Sequence, residues 1–137
     1  MDNRYYITYG LLMSFAEMQK VCMTARHIGS GVIRHCSLDF RGELALPTLV
    51  PSDGSAPVAV YAVSFDDEID LDRKYPPSMY CKVQCTAVVD GKEIHGYTHI
   101  IKDELPRVLP PQEIKNIMKE GYSDNGLGVS DWDSRFF

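Results

Sequence analysis

The sequence predicts an α+β domain whose strands close into a small barrel, and three observations carry that prediction. Residues 5–9 form an apolar, aromatic run that ends at Gly10 and passes straight into a helix start. Residues 79–89 and 92–102 are two long strand-like runs joined by Asp90-Gly91, the favoured two-residue hairpin turn. Pro110-Pro111 precedes a helical stripe of Ile114, Ile117, Met118 and Tyr122.

The elements follow in order. After the strand at 5–9, Ser14 and Glu17 have the spacing of a capping box, with each residue's side chain able to bond the other's backbone N–H. The helix they start places Met18, Val21 and Cys22 on one face and is expected to fade near residues 26–29, where Gly29 and Gly31 break it. Residues 32–40 predict a second strand with Arg41-Gly42 as its turn. Pro47 makes residues 45–50 an edge strand or loop, and residues 51–55 a turn. Residues 58–65 are the cleanest central strand. Residues 66–73 are an acidic connection of one or two helical turns, and Tyr75-Pro76-Pro77-Ser78 is extended. Asn125-Gly126 stops the last helix. A single domain is expected over 1–128, followed by a tail over 129–137 whose Trp132, Phe136 and Phe137 either dock on the body or stay free.

Composition removes several function classes. A chain of 137 residues suits one domain that folds without disulfides or metal. The formal charge is −5 and no Lys/Arg run occurs, which argues against a nucleic-acid surface. No apolar stretch approaches the roughly 20 residues that cross a bilayer. The start, Met1-Asp2-Asn3-Arg4, lacks a signal-peptide pattern, so a cytoplasmic protein is expected.

Cys22, Cys36, Cys81 and Cys85 form no Cys-x-x-Cys pair and suit small core residues in a reducing compartment. His95 and His99 lie four apart on one strand and share a face. With Cys81 or Cys85 they could meet a metal, but two polar residues on the barrel's outer face is the simpler expectation. The turn after the first strand is the best candidate site, because a backbone bent this way aims N–H groups at an anion.

Four ordered pieces carry a family resemblance. They are Tyr9-Gly10-Leu11-Leu12-Met13 after the first strand, Val58-Ala59-Val60-Tyr61-Ala62-Val63, Leu71-Asp72 followed by Ser78-Met79-Tyr80, and Pro110-Pro111 followed by Glu120-Gly121-Tyr122-Ser123-Asp124-Asn125-Gly126-Leu127. Over about residues 4–128 the chain resembles the gamma-glutamylcyclotransferase family, also called AIG2-like. The resemblance implies a small mixed β-barrel with flanking helices and a pocket at the first turn. It also implies a small-molecule partner, a gamma-glutamyl or other carboxylate ligand, and a reaction that needs no cofactor. In that reaction the α-amine attacks the γ-carbonyl of the same molecule, releasing 5-oxoproline and a free amine, with a glutamate as proton shuttle. By this resemblance Tyr9, Gly10, Leu11, Leu12, Tyr75 and Tyr80 border the ligand.

Two departures divide the functional expectation. The family glutamate belongs to a Leu-Asp-x-x-Glu pattern, but here Leu71-Asp72-Arg73-Lys74 ends in Tyr75. A phenol titrates near 10 and is a poor base at neutral pH. Leu11-Leu12 also replaces a polar pair. Either another carboxylate (Glu68, Asp70, Asp72, Glu93 or Glu104) serves as base, or the domain is a catalytically inactive module that binds a ligand or a protein. A third reading is an enzyme of different specificity that holds another anion at the same turn.

Overall fold

The computed structural model describes residues 4–137, the side chain of Val129 excepted. Met1, Asp2 and Asn3, part of the segment expected to lack a signal peptide, lie outside the described residues. Five strands close into a barrel: β1 (Arg4–Thr8), β2 (Arg26–Arg41), β3 (Leu46–Val63), β4 (Tyr80–Val89) and β5 (Lys92–Ile101), in the spatial order β1-β3-β2-β4-β5. Every pairing is antiparallel except that of β1 with β5, which runs parallel through Tyr6 and Tyr97. The barrel is therefore mixed, and its closure protects strand edges that would otherwise stay open. Three helices flank it: α1 (Phe15–Val21), α2 (Phe65–Lys74) and α3 (Gln112–Asp124).

The hairpin of β4 and β5 matches the sequence expectation. Asp90 and Gly91 have φ of 51° and 76°, both positive as a type I′ turn requires. The register then runs unbroken from Val89 opposite Lys92 to Tyr80 opposite Ile101.

Three local expectations are corrected. The first helix stops at Val21, and residues 26–29 open β2 by pairing with β3 from Arg26 opposite Ala62. Sheet pairing overrides helical propensity there. Gly31 is a strand residue whose missing side chain lets the Val88 carbonyl of β4 approach. Second, residues 51–55 are not a turn: the one-sided strand expected over 45–50 runs on through them. Leu46 starts an 18-residue β3 that carries Pro47, Pro51 and Pro57. β1 pairs with β3 only over Ala59–Val63, so the preceding stretch has a ladder on one side only, where proline is tolerated. The bend falls on β2 instead, at a bulge where His35 takes φ 65°. Third, only half of the Ser14 capping box forms. Ser14 Oγ accepts from the Glu17 N–H at 3.3 Å, while Glu17 pairs with Lys20 at 2.8 Å. A complete box caps α2 through Ser64 and Asp67.

One contiguous core fills the barrel and the space beneath the helices. Ile7, Phe40, Val58, Val60 and Ala87 lie in it with Leu12, Met13, Met18, Leu71, Met118 and Tyr122. The C-terminal tail docks: Phe136 meets Phe40 edge-on at 5.0 Å, and Arg135 donates to the Leu38 carbonyl at 3.0 Å. No helix among the described residues is long and apolar enough to cross a membrane.

Candidate functional site

β1 ends at Thr8, and the chain then makes a 3₁₀ turn over Leu11–Met13 with Gly10 as its first flank. Met13 N–H donates to the Gly10 carbonyl and Ser14 N–H to the Leu11 carbonyl, both at 3.1 Å. The N–H groups that open such a turn have no acceptor within it. The end of α3 holds the turn in place. Asn125 Nδ2 donates to the carbonyls of Met13 at 3.0 Å and Gly121 at 2.8 Å, and Asn125 Oδ1 meets His27 Nε2 at 2.8 Å. Asp124 accepts from the Phe15 N–H at 2.9 Å.

Above this turn lies a cavity of about 150 Å³. β1 and the turn supply Tyr6, Thr8, Tyr9, Gly10 and Leu11, and Leu46 and Pro47 come from β3. Lys74 ends α2, and Tyr75, Tyr80, Thr98 and His99 complete the wall. The structure thus gathers Tyr9, Gly10, Leu11, Tyr75 and Tyr80 around one space. It does not bring Leu12 to that space, because the Leu12 side chain is buried in the core. Tyr75, Tyr80 and His99 also border a neighbouring hollow of about 240 Å³, reached by Asp72, Pro77 and Lys82.

The wall is ordered by a chain of polar contacts. Tyr6 Oη lies 3.0 Å from His99 Nδ1, and His99 Nε2 lies 3.2 Å from Asp72 Oδ1. Lys82 Nζ contacts Asp72 Oδ1 at 3.0 Å and Oδ2 at 3.1 Å. Tyr9 Oη donates to the His99 carbonyl at 2.6 Å. A carboxylate only accepts, so His99 carries its proton on Nε2 and accepts at Nδ1 from the Tyr6 hydroxyl. Thr98 Oγ1 is buried in the same region and has no hydrogen-bond partner among the described residues.

Burial sets the charge state of the wall. It pushes the Tyr6, Tyr9 and Tyr75 phenols well above their ordinary range, with neighbouring phenols adding to the effect. It holds the His99 imidazole below its ordinary value. The Asp72 hydrogen bond opposes that shift and the Lys82 charge reinforces it. At neutral pH the cavity therefore presents neutral phenols and a neutral imidazole, with the Lys74 side chain at its border.

His99 is the residue that sequence reasoning placed elsewhere. It was expected beside His95 on the barrel's outer face. His95 is exposed, whereas His99 is 4% exposed because α2 and Tyr75 cover that end of β5. The hairpin register was a usable signal, since it sets His99 opposite Lys82, two positions from the pair that contains Tyr80 and so on the same face. Among the described residues no three His, Cys, Asp or Glu side chains are grouped to hold a metal ion.

The comparison with solved structures decides the fold. One described as a gamma-glutamyl cyclotransferase superposes with a TM-score of 0.86 at 18% identity, over 94% of this chain and 83% of that one. This chain has the gamma-glutamyl cyclotransferase fold. A human protein described as uncharacterized gives a TM-score of 0.87 at 17% identity, over 95% and 84% of the two chains. An AIG2-like protein from Mus musculus gives 0.65 at 19% identity, over 79% and 87%. No protein-family model matches the sequence, and no curated protein matches it either. At these identities the likeness is one of fold. No carboxylate borders the cavity among the described residues.

Proposed function

We propose that this chain binds a gamma-glutamyl amine or amide, or a small molecule of the same carboxylate-bearing kind, in the cavity above the first turn. The observation that carries this reading is the convergence of three features on one space of about 150 Å³. They are the turn residues Gly10 and Leu11, the residue Lys74, and Thr98, whose Oγ1 is buried without a hydrogen-bond partner among the described residues. The first two suit a carboxylate. The third has lost water without gaining a partner, a cost that a ligand polar atom removes. The aromatic wall of Tyr9, Tyr75 and Tyr80 suits the aliphatic body of the ligand.

On this reading the chain does not turn its ligand over by way of Tyr75. The Tyr75 phenol, held well above its ordinary range, does not take a proton from an ammonium group at neutral pH. Holding the ligand without turnover is therefore the reading that Tyr75 favours. A second reading, release of 5-oxoproline, is favoured by the ordered chain Tyr6–His99–Asp72 at the cavity wall.

Isothermal calorimetry of the purified protein against a panel of gamma-glutamyl amines, amides and dipeptides tests the proposal. Saturable binding at one site, weakened at least tenfold by Leu11→Trp, is the expected result. Absence of binding across the panel overturns it.

A further inference from the structure

We propose that the hollow between α1 and the barrel wall is a second binding site, one that takes a small neutral aromatic molecule with a carboxamide-like polar end. The hollow measures about 190 Å³ and shares no residue with the cavity above the first turn. Phe15 and Met18 line it from α1, Cys22 and Met23 from the chain that follows, and His27 and Tyr61 from β2 and β3. Its volume is below the roughly 300 Å³ at which pockets for drug-sized ligands begin, so the guest is about one ring in size.

The walls favour an aromatic guest. The His27 ring lies 4.7 Å from that of Phe15 and 5.4 Å from that of Tyr61, centroid to centroid. The thioethers of Met18 and Met23 add polarizable surface that suits a flat ring. Met18 is buried, whereas Met23 is 84% exposed, so the hollow carries an apolar rim open to solvent. A guest that covers this rim removes apolar surface from water.

Two polar groups define what the ring carries. Tyr61 is 3% exposed, and its Oη is buried without a hydrogen-bond partner among the described residues. A guest oxygen that accepts from this phenol removes the cost of leaving it unpaired. That oxygen is neutral. Burial, and after it the Asp124 carboxylate, pushes the Tyr61 phenol above its ordinary range, so an anionic guest would feel the same negative charge. His27 supplies the complementary group. Asn125 Nδ2 donates to the Met13 and Gly121 carbonyls, which leaves Asn125 Oδ1 to accept from His27 Nε2 at 2.8 Å. The neutral ring therefore offers Nδ1 as an acceptor. A carboxamide carries both an acceptor for the phenol and a donor for the imidazole.

The test uses benzamide as probe, with benzoate as its charged isostere and toluene as its apolar one. Heteronuclear NMR titrations of the full chain at about pH 7.5, where histidine is mostly neutral, read both affinity and place. Benzamide should bind saturably with a Kd of about 1 mM or tighter. The shifted resonances should cluster in α1, at the start of β2 and at the Asn125 side-chain amide that His27 holds. Benzoate should bind at least about tenfold more weakly. Tyr61→Phe removes only the unpartnered hydroxyl, and it should weaken benzamide about fivefold or more while leaving toluene unchanged. Phe15→Ala, at the rim, should weaken benzamide and toluene alike. Absence of saturable benzamide binding, shifts that cluster elsewhere, benzoate bound as tightly as benzamide, or a Tyr61→Phe chain with wild-type benzamide affinity each overturns the proposal. The gamma-glutamyl reading concerns another cavity and stands or falls by its own titration.

Discussion

The ring of Tyr75 lies against the imidazole of His99, with centroids 5.1 Å apart and planes inclined by 31°. On its other side Tyr75 meets Tyr80 edge-on at 5.0 Å. The residue that stands where a glutamate was expected is thus a packing element between two cavity residues. Tyr75→Phe should keep both ring contacts and change stability by less than about 1 kcal/mol. Tyr75→Glu should cost about 2–3 kcal/mol in urea unfolding, because it removes the ring and buries a carboxyl group. The same variant should raise 5-oxoproline release above wild type, since it sets a carboxyl group at the cavity wall. A Tyr75→Glu protein as stable as wild type and no more active would contradict both expectations.

Stability should depend on pH through His99. Burial holds its pKa below the ordinary value in the folded chain, while an unfolded histidine titrates near 6.5. Between those two values the unfolded chain binds more protons. Stability therefore falls as pH drops through about 6.5 and is regained above it. Urea midpoints measured from about pH 7.5 down to 5.5 should decline, and His99→Gln should flatten that part of the decline. Parallel wild-type and His99→Gln curves would show that other groups govern it.

Gly121 should resist the change that helix propensity recommends. A Cβ built there would stand 2.6 Å from the Ser14 nitrogen and 2.8 Å from the Met13 carbonyl carbon. An exposed helical glycine changed to alanine gains about 1 kcal/mol. Here the added methyl pushes on the backbone that ends the 3₁₀ turn, so Gly121→Ala should instead lose about 2 kcal/mol. It should also weaken ligand binding, because the turn forms one wall of the cavity. Differential scanning calorimetry, with Ser123→Ala as an exposed control on the same helix, reads the difference in sign.

The cysteines should react in a fixed order. Burial pushes the Cys22 and Cys85 thiols up to about 12, with nearby carboxylates contributing at Cys22, and it raises Cys36 as well. Cys81 is exposed. Brief iodoacetamide treatment of the native protein at about pH 8 should label Cys81 first, with the other three labelled fully only after unfolding. Peptide mapping that found Cys22 modified as early as Cys81 would show that α1 opens readily.

Much of this architecture was legible in the sequence where local chemistry and long-range packing agree. Asp90-Gly91 determined the hairpin and its register, and the stripe through Met118 and Tyr122 predicted the buried face of α3. Local signals misled where a partner strand decided the outcome. Arg26 and His27 extend because β3 pairs with them, and Pro47 and Pro51 sit in a strand because only one side of that strand is laddered there. The site was half legible. Tyr9, Gly10 and Tyr75 could be placed from the turn and the Leu71-Asp72 pattern. His99 could not, because its burial depends on α2 folding over the end of β5, a contact that no local pattern announces.

Every residue that borders the cavity lies at or before His99, yet the turn beneath it is clamped by Asn125, 112 positions after the Met13 carbonyl it holds. On the ribosome, the wall residues all emerge before the side chain that locks their floor. A nascent chain halted just short of Asn125 would carry every residue of the cavity wall and still lack the clamp on the turn. The floor of the cavity is thus fixed only once Asn125 has joined it, so walls complete in sequence still wait for a late residue to hold them together.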